Sequence, residues 1–221
     1  MNKIKALYDV VKAMKGKEAF NGTLTVQVHK DETPLLLLRN EFEKNLLTGH
    51  TKAKINTELD YEGKVAKHES NTEFTIPHSG ENHHHRHHEF IRHLHPAHAT
   101  GRGGLKGKLS KLAFALSILT ALQTEEQEGK TIISLNAKDL PEDTKTLLRE
   151  KVSRADACQR HGHGFLKEFV TIEHFDFAAS MFINKLFEVE KAVITLVGTQ
   201  KDEQNVPHDL TIRAELSLSA K

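Results

Sequence analysis

The stretch KLSKLAFALSILTALQTEEQEG, residues 108–129, decides how this chain is read. From Leu112 to Leu122 it is apolar on nearly every helical face, with only Ser117 and Thr120 interrupting. A helix that lacks a polar stripe must be covered by other parts of the protein, because its apolar surface is unfavourable in water on every side. The run is about half of the ~20 residues a membrane-spanning helix needs, so burial within the protein is expected and no transmembrane segment is predicted.

The cover has to come from the flanking sequence. Upstream, Leu24, Val26 and Val28 alternate with polar residues over 22–29, and further strand-like segments follow at 35–43, 51–60 and 64–76. KDETP (30–34), LLTG (46–49) and YEGK (61–64) separate them. Short connections of this chemistry favour hairpins, so four antiparallel strands are predicted, apolar on one face and rich in Lys, Glu, Asn and Thr on the other. Ahead of them, Ile4, Leu7, Val10, Val11 and Met14 recur at helical spacing, which predicts an amphipathic helix over 3–18. Asp9 and Glu18 interrupt its basic face and favour core packing over a lipid surface.

Downstream of the apolar stretch, IISLNA (132–137) reads as a strand and PEDTKTLLREKV (141–152) as a short helix with Pro141 near its first position. The remainder is strand-rich: FLKEFVTIEHFDF (165–177), MFINKLFEVEKAVITLVGT (181–199) and VPHDLTIRAELSLSA (206–220). In the last of these Leu210, Ile212, Ala214, Leu216 and Leu218 alternate strictly with polar residues, the pattern of a half-buried strand. The fold class expected is α+β: a curved antiparallel, half-barrel-like sheet packed on a long apolar helix. One domain spans 1–221, with a His- and Gly-rich insertion at 77–108 and a Cys/His loop at 153–165.

This order of elements resembles the half-barrel domains of LolA and RseB type, and NAKDLPEDTK (136–145) is the nearest approach to a familiar phrase. The resemblance implies a concave face that holds a lipid, lipoprotein or peptide. Phe114, Ile118 and Leu122 would lie near such a face, giving an apolar ligand or a protein segment as one class of partner.

Composition removes several function classes. Lys plus Arg number 31 and Asp plus Glu 30, so the net charge of +1 provides no standing field for nucleic acid, and there is no Trp for base stacking. Cys158 is the sole cysteine, which excludes an intramolecular disulfide and fits a reducing compartment. MNKIKALYDVVKAMKGKEAF lacks a signal-like apolar run, so a cytoplasmic location is expected, or export if a leader precedes the sequence. GRGGLKGKL fails the phosphate-loop pattern, with Arg102 where a glycine is needed and Leu109 in place of Ser or Thr. No nucleophile elbow is present either, and non-enzymatic binding is the expectation.

The chemistry is concentrated in histidine. Of sixteen in the chain, nine fall within 78–98, and His83, His84, His85, His87, His88, His93, His95 and His98 accompany Glu89 there. As a helix, NHHHRHHEFIRHLH would align His85, Glu89 and His93 on one stripe, with His84 and His88 on the next. Imidazoles four apart can share a metal ion, and neutral imidazole suits Zn2+, Ni2+, Cu2+ or Co2+. HEFIRH separates His88 and His93 by five, which misses the zinc-protease spacing. A second group, Asp156, Cys158, His161 and His163, offers thiolate and imidazole from one Gly-flanked turn. The predicted function is divalent transition-metal binding for storage, delivery or sensing. Adventitious ligation by a solvated low-complexity loop is the competing reading.

Overall fold

Alternation of apolar and polar side chains drives most of this chain into β-structure. The computed structural model describes residues 2–61, 63–76, 105–148, 174–201 and 204–220. Helix α1 (Lys3–Lys15) leads into four strands, β1 (Ala19–Lys30), β2 (Thr33–Asn45), β3 (His50–Tyr61) and β4 (Lys64–Thr75). Helix α2 (Leu105–Ala121) precedes the remaining strands: β5 (Gln123–Gln127), β6 (Lys130–Asn136), β7 (His174–Ile183), β8 (Val189–Lys201) and β9 (Pro207–Ala220). A 3-10 turn at Ala137–Asp139 and a helical stretch at 142–148 follow β6.

The nine strands among the described residues form one antiparallel sheet in the order β4-β3-β2-β1-β9-β8-β7-β6-β5. It consists of two meanders joined at a seam where β1 pairs with β9, Phe20 opposite Ala220 and Lys30 opposite Leu210. Turn chemistry fixes the hairpins. Asp31 and Glu32 form the two-residue β1–β2 connection at φ 48° and 68°, and Glu128 and Gly129 repeat it between β5 and β6 at 52° and 77°. Two successive residues of positive φ are what a tight hairpin needs to match the right-handed twist of its strands.

The side-chain period of two sorts the first meander and the seam into faces. One face carries Leu24, Val26 and Val28 of β1, opposed by Leu38 and Leu36 of β2 and by Leu216, Ala214 and Ile212 of β9. The other carries cross-strand ion pairs: Lys67–Glu58 at 2.9 Å, Lys52–Glu73 at 3.5 Å, Lys54–Glu69 at 3.1 Å and Lys191–Glu215 at 2.7 Å. Exposed pairs of this kind each contribute about 0–1 kcal/mol, so their value lies more in fixing register than in stability.

Packing overturns the sequence-based fold class. A sheet wrapped on the long apolar helix is not what forms: α2 meets the sheet mainly at β6, and Leu116 remains 53% exposed. The helix that closes a core is α1. Its Ala6 and Val10 are buried with Ile133 of β6 and Ile183 of β7, and Leu122, Met181, Phe187 and Val189 pack around them. The reason lies in the patterning. In α1 one stripe is apolar and its buried positions are small, so the helix can lie close to the strands, whereas α2 has no single face to direct its docking. Asn2 caps α1 by accepting from the Ile4 N–H at 3.0 Å, and Lys3 Nζ donates to the Thr120 carbonyl at 2.8 Å, tying α1 to the end of α2.

The apolar stretch also ends sooner than its sequence suggests. QTEEQ, read as a continuation of the helix, is strand β5, pairing with β6 from Gln123–Ser134 to Gln127–Lys130. Phe114, Ile118 and Leu122 are half-buried, and Leu122 belongs to the α1 core, so they do not line an open concave face. The half-barrel arrangement is therefore corrected to an extended nine-stranded antiparallel sheet with one helix sealing the β6–β7 region.

Candidate functional site

The candidate metal ligands read from sequence lie outside the described residues, in the His-rich segment as well as in the Asp156–His163 loop. What the structure does place are the points where the chain departs and returns. Ile76 follows β4, one edge of the sheet, and its N–H donates to the Gly49 carbonyl at 3.0 Å. Leu105 begins α2, which feeds β5 at the opposite edge. Among the described residues no three of His, Cys, Asp or Glu converge as a metal-binding group.

Within the described body, histidine is paired with carboxylate in two places. The first is built on the β1–β2 turn. Asp31, at positive φ, is held against β9 by its own N–H donating to the Asp209 carbonyl at 2.9 Å. Its Oδ1 accepts from the Asp209 N–H at 2.8 Å, and its Oδ2 meets His208 Nδ1 at 2.5 Å. The His208 contact, then the Asp209 N–H, holds the Asp31 carboxyl below its ordinary value against a small opposing desolvation. Directly opposite His208 stands Gln200 of β8, 5% exposed, with a buried Oε1 that accepts no hydrogen bond from the described residues. The carboxylate against Nδ1 fixes the orientation of the imidazole ring at the end of β9.

That pair carries a pH dependence whose sign is fixed. A carboxyl whose folded pKa is lowered stabilises the fold above the unfolded value, and the contribution is lost as pH falls through the lowered folded value. We expect Asp31→Asn to be less stable than the parent near neutrality and the difference to close on acidification. Urea midpoints measured between about pH 3 and pH 7 test this. A difference that stays constant across that range would remove the ionised pair as its cause.

The second pair sits at the other end of the sheet, where β3 and β4 approach the departing chain. His50 Nε2 lies 3.1 Å from Glu73 Oε1, its Nδ1 lies 3.4 Å from Thr75 Oγ1, and Lys52 reaches the same carboxylate oxygen at 3.5 Å. Glu73 and Lys52 also line a broad depression of about 690 Å3 that crosses five strands from Ser217 and Ser219 of β9 to Asn71 of β4. Most of its lining side chains belong to the charged face. Ligands suited to it are therefore polar. His29 is half-buried in β1 and His68 exposed in β4, both strand residues with no ligand set around them among the described residues.

Sequence reading missed the Asp31–His208 pair for a clear reason. The two residues are 177 positions apart, and only the β1–β9 seam brings them together. No local motif announces it.

Comparison with known proteins adds little to this geometry. No family model matches the chain, and no curated protein matches it. Among solved structures, the tesB protein of Mycobacterium avium subs paratuberculosis aligns at 10% identity over 98% of this chain and 85% of its own, with a TM-score of 0.17. A bifunctional dehydratase-cyclase domain in ambruticin biosynthesis aligns at 11% identity over 98% and 81%, also at 0.17. A hot dog fold protein of unknown function from Alicyclobacillus acidocaldarius aligns at 10% over 100% and 88%, at 0.15. TM-scores this low leave the fold to be defined by its own strand order. The single nine-stranded sheet, with α1 on its core, replaces the half-barrel, and the resemblance to LolA and RseB domains drawn from the order of elements is withdrawn with it. Among the described residues, no helix is long and apolar enough to cross a membrane.

Proposed function

We propose that this protein binds a divalent transition metal ion without catalysing a reaction, serving storage, delivery or sensing. The observation that carries the reading is the concentration of nine histidines within residues 78–98. Zn2+ is the first choice, with Ni2+, Cu2+ and Co2+ compatible with the same imidazoles. Asp156, Cys158, His161 and His163 supply a second donor group in which the thiolate favours softer ions. In the sequence the His-rich stretch lies between β4 and α2.

Metal binding by imidazole competes with protons. Near an unperturbed pKa of about 6.5, lowering the pH from about 7.5 to 5.5 reduces the neutral fraction, and so the affinity, about tenfold per ligating imidazole. The test is elemental analysis of untagged protein prepared without immobilised metal, followed by titration with zinc, nickel and copper at both pH values. One or two firmly held ions per chain are expected, with proton release on binding. Deleting 78–98 should abolish most of this capacity, and changing Cys158, His161 and His163 together should weaken what remains. Weak, substoichiometric binding at both pH values, or affinity that survives both changes, would refute the reading.

A further inference from the structure

Strand β4 is an edge of unusual length. It has twelve residues and pairs with β3 without a register shift from His50–Thr75 to Tyr61–Lys64. Every residue within it except the half-buried Ser70 is exposed, and Val65, Phe74 and the adjoining Ile76 are 64%, 46% and 45% exposed. Edge strands in proteins are usually short, bulged, interrupted by proline or covered, because their free ladder groups template pairing with other chains. Among the described residues only Lys64 and Lys67 serve that purpose here, and Glu69 and Glu73 follow them along the strand. The opposite edge, β5, is five residues long.

We propose that β4 pairs with the β4 of a second copy, antiparallel about a two-fold axis through Ser70. Two requirements select this register. Keeping the apolar face of one copy continuous with that of the other demands that opposed residue numbers sum to an even value. Among the registers with the largest overlap, pairing with Ser70 on the axis sets Lys67 against Glu73 twice and Phe74 against Ala66 twice. Opposite charges face each other on the charged side and exposed apolar groups on the other. Slipping by two residues in either direction places Glu69 against Glu69 or against Glu73, which is repulsive. Lys67 and Glu73 keep their intrachain partners Glu58 and Lys52, since a carboxylate accepts several donors and an ammonium offers three. The dimer is independent of the metal reading and uses none of its ligands.

The register is tested by cysteine placement in a Cys158→Ser background. Ser70→Cys should give an intermolecular disulfide on mild oxidation, because the two new thiols face each other across the axis. Thr72→Cys should not, because its partner position is His68. Sedimentation should show a dimer for the parent, monomers for Lys67→Glu and for Glu73→Lys, and a dimer again for the double exchange, with circular dichroism confirming that each variant is folded. A parent that is monomeric across the accessible concentration range, or cross-linking equally efficient at 70 and 72, would overturn the proposal.

Discussion

Replacing Gly22 with alanine is expected to destabilise the protein by about 1–3 kcal/mol, the ordinary cost of overpacking. Two effects oppose each other. Removing glycine from a strand interior normally gains about 0.5–1 kcal/mol through lower unfolded-state entropy. At this position, however, a Cβ would stand 2.7 Å from the Ser217 carbonyl oxygen, 2.8 Å from the Phe42 ring and 2.9 Å from the Leu218 side chain. The first of these is backbone in the neighbouring strand, so relief requires moving β9 itself. The steric cost therefore wins. Guanidinium denaturation of Gly22→Ala checks it, and a neutral or stabilising outcome would mean that the seam yields more easily than its geometry implies. Gly22→Val should be worse, because its two γ-methyls approach the same atoms.

Ile183→Ala should cost about 2–5 kcal/mol, the range for truncating a fully buried aliphatic side chain. Ile183 is 0% exposed and meets Ala6 and Val10 of α1 together with Ile133. Few side chains in the described body are buried to that degree, so the contact that binds α1 to the sheet depends on very few residues. Ile183→Val, which loses one methylene, should cost about 0.5–1.5 kcal/mol. The pair of variants separates a packed junction from a loose one: a loss below the valine range for Ile183→Ala would show that α1 is not held by this cluster. A shift in the denaturant slope as well as in the midpoint would show that α1 detaches separately from the sheet.

The sequence made the strands legible wherever strict alternation met an unambiguous turn. Leu210 to Leu218 announces β9, and the Asp31-Glu32 connection announces the β1–β2 hairpin, because both signals are local. Gln123 to Gln127 is illegible for the opposite reason: a polar run directly after an apolar helix has no periodicity of its own, and β6 supplies the pairing that makes it a strand. The choice of core helix was misread because all-round apolarity looks like a demand for burial. The small stripe of Ala6 and Val10 proved the better docking surface. The Asp31–His208–Gln200 grouping could not be read at all, since it depends on the pairing of β1 with β9 and of β9 with β8. For the proposed metal ligands the sequence remains the source, as composition names the donor atoms without fixing their positions.

The seam between β1 and β9 also bears on how the protein is made. β1 ends at Lys30 and β9, its neighbour at the centre of the sheet, begins at Pro207. At roughly 5–20 residues per second, a ribosome takes on the order of ten to thirty seconds to supply the residues between them. Once β4 is complete at Thr75, the nascent first meander has two open borders until β9 is made, and the one that β9 will occupy displays the ladder groups of a twelve-residue strand carrying Leu24, Val26 and Val28. Biogenesis therefore includes a waiting period in which the correct partner does not yet exist. A cell producing this chain must delay the assembly of β1 or shield it until β9 leaves the exit tunnel.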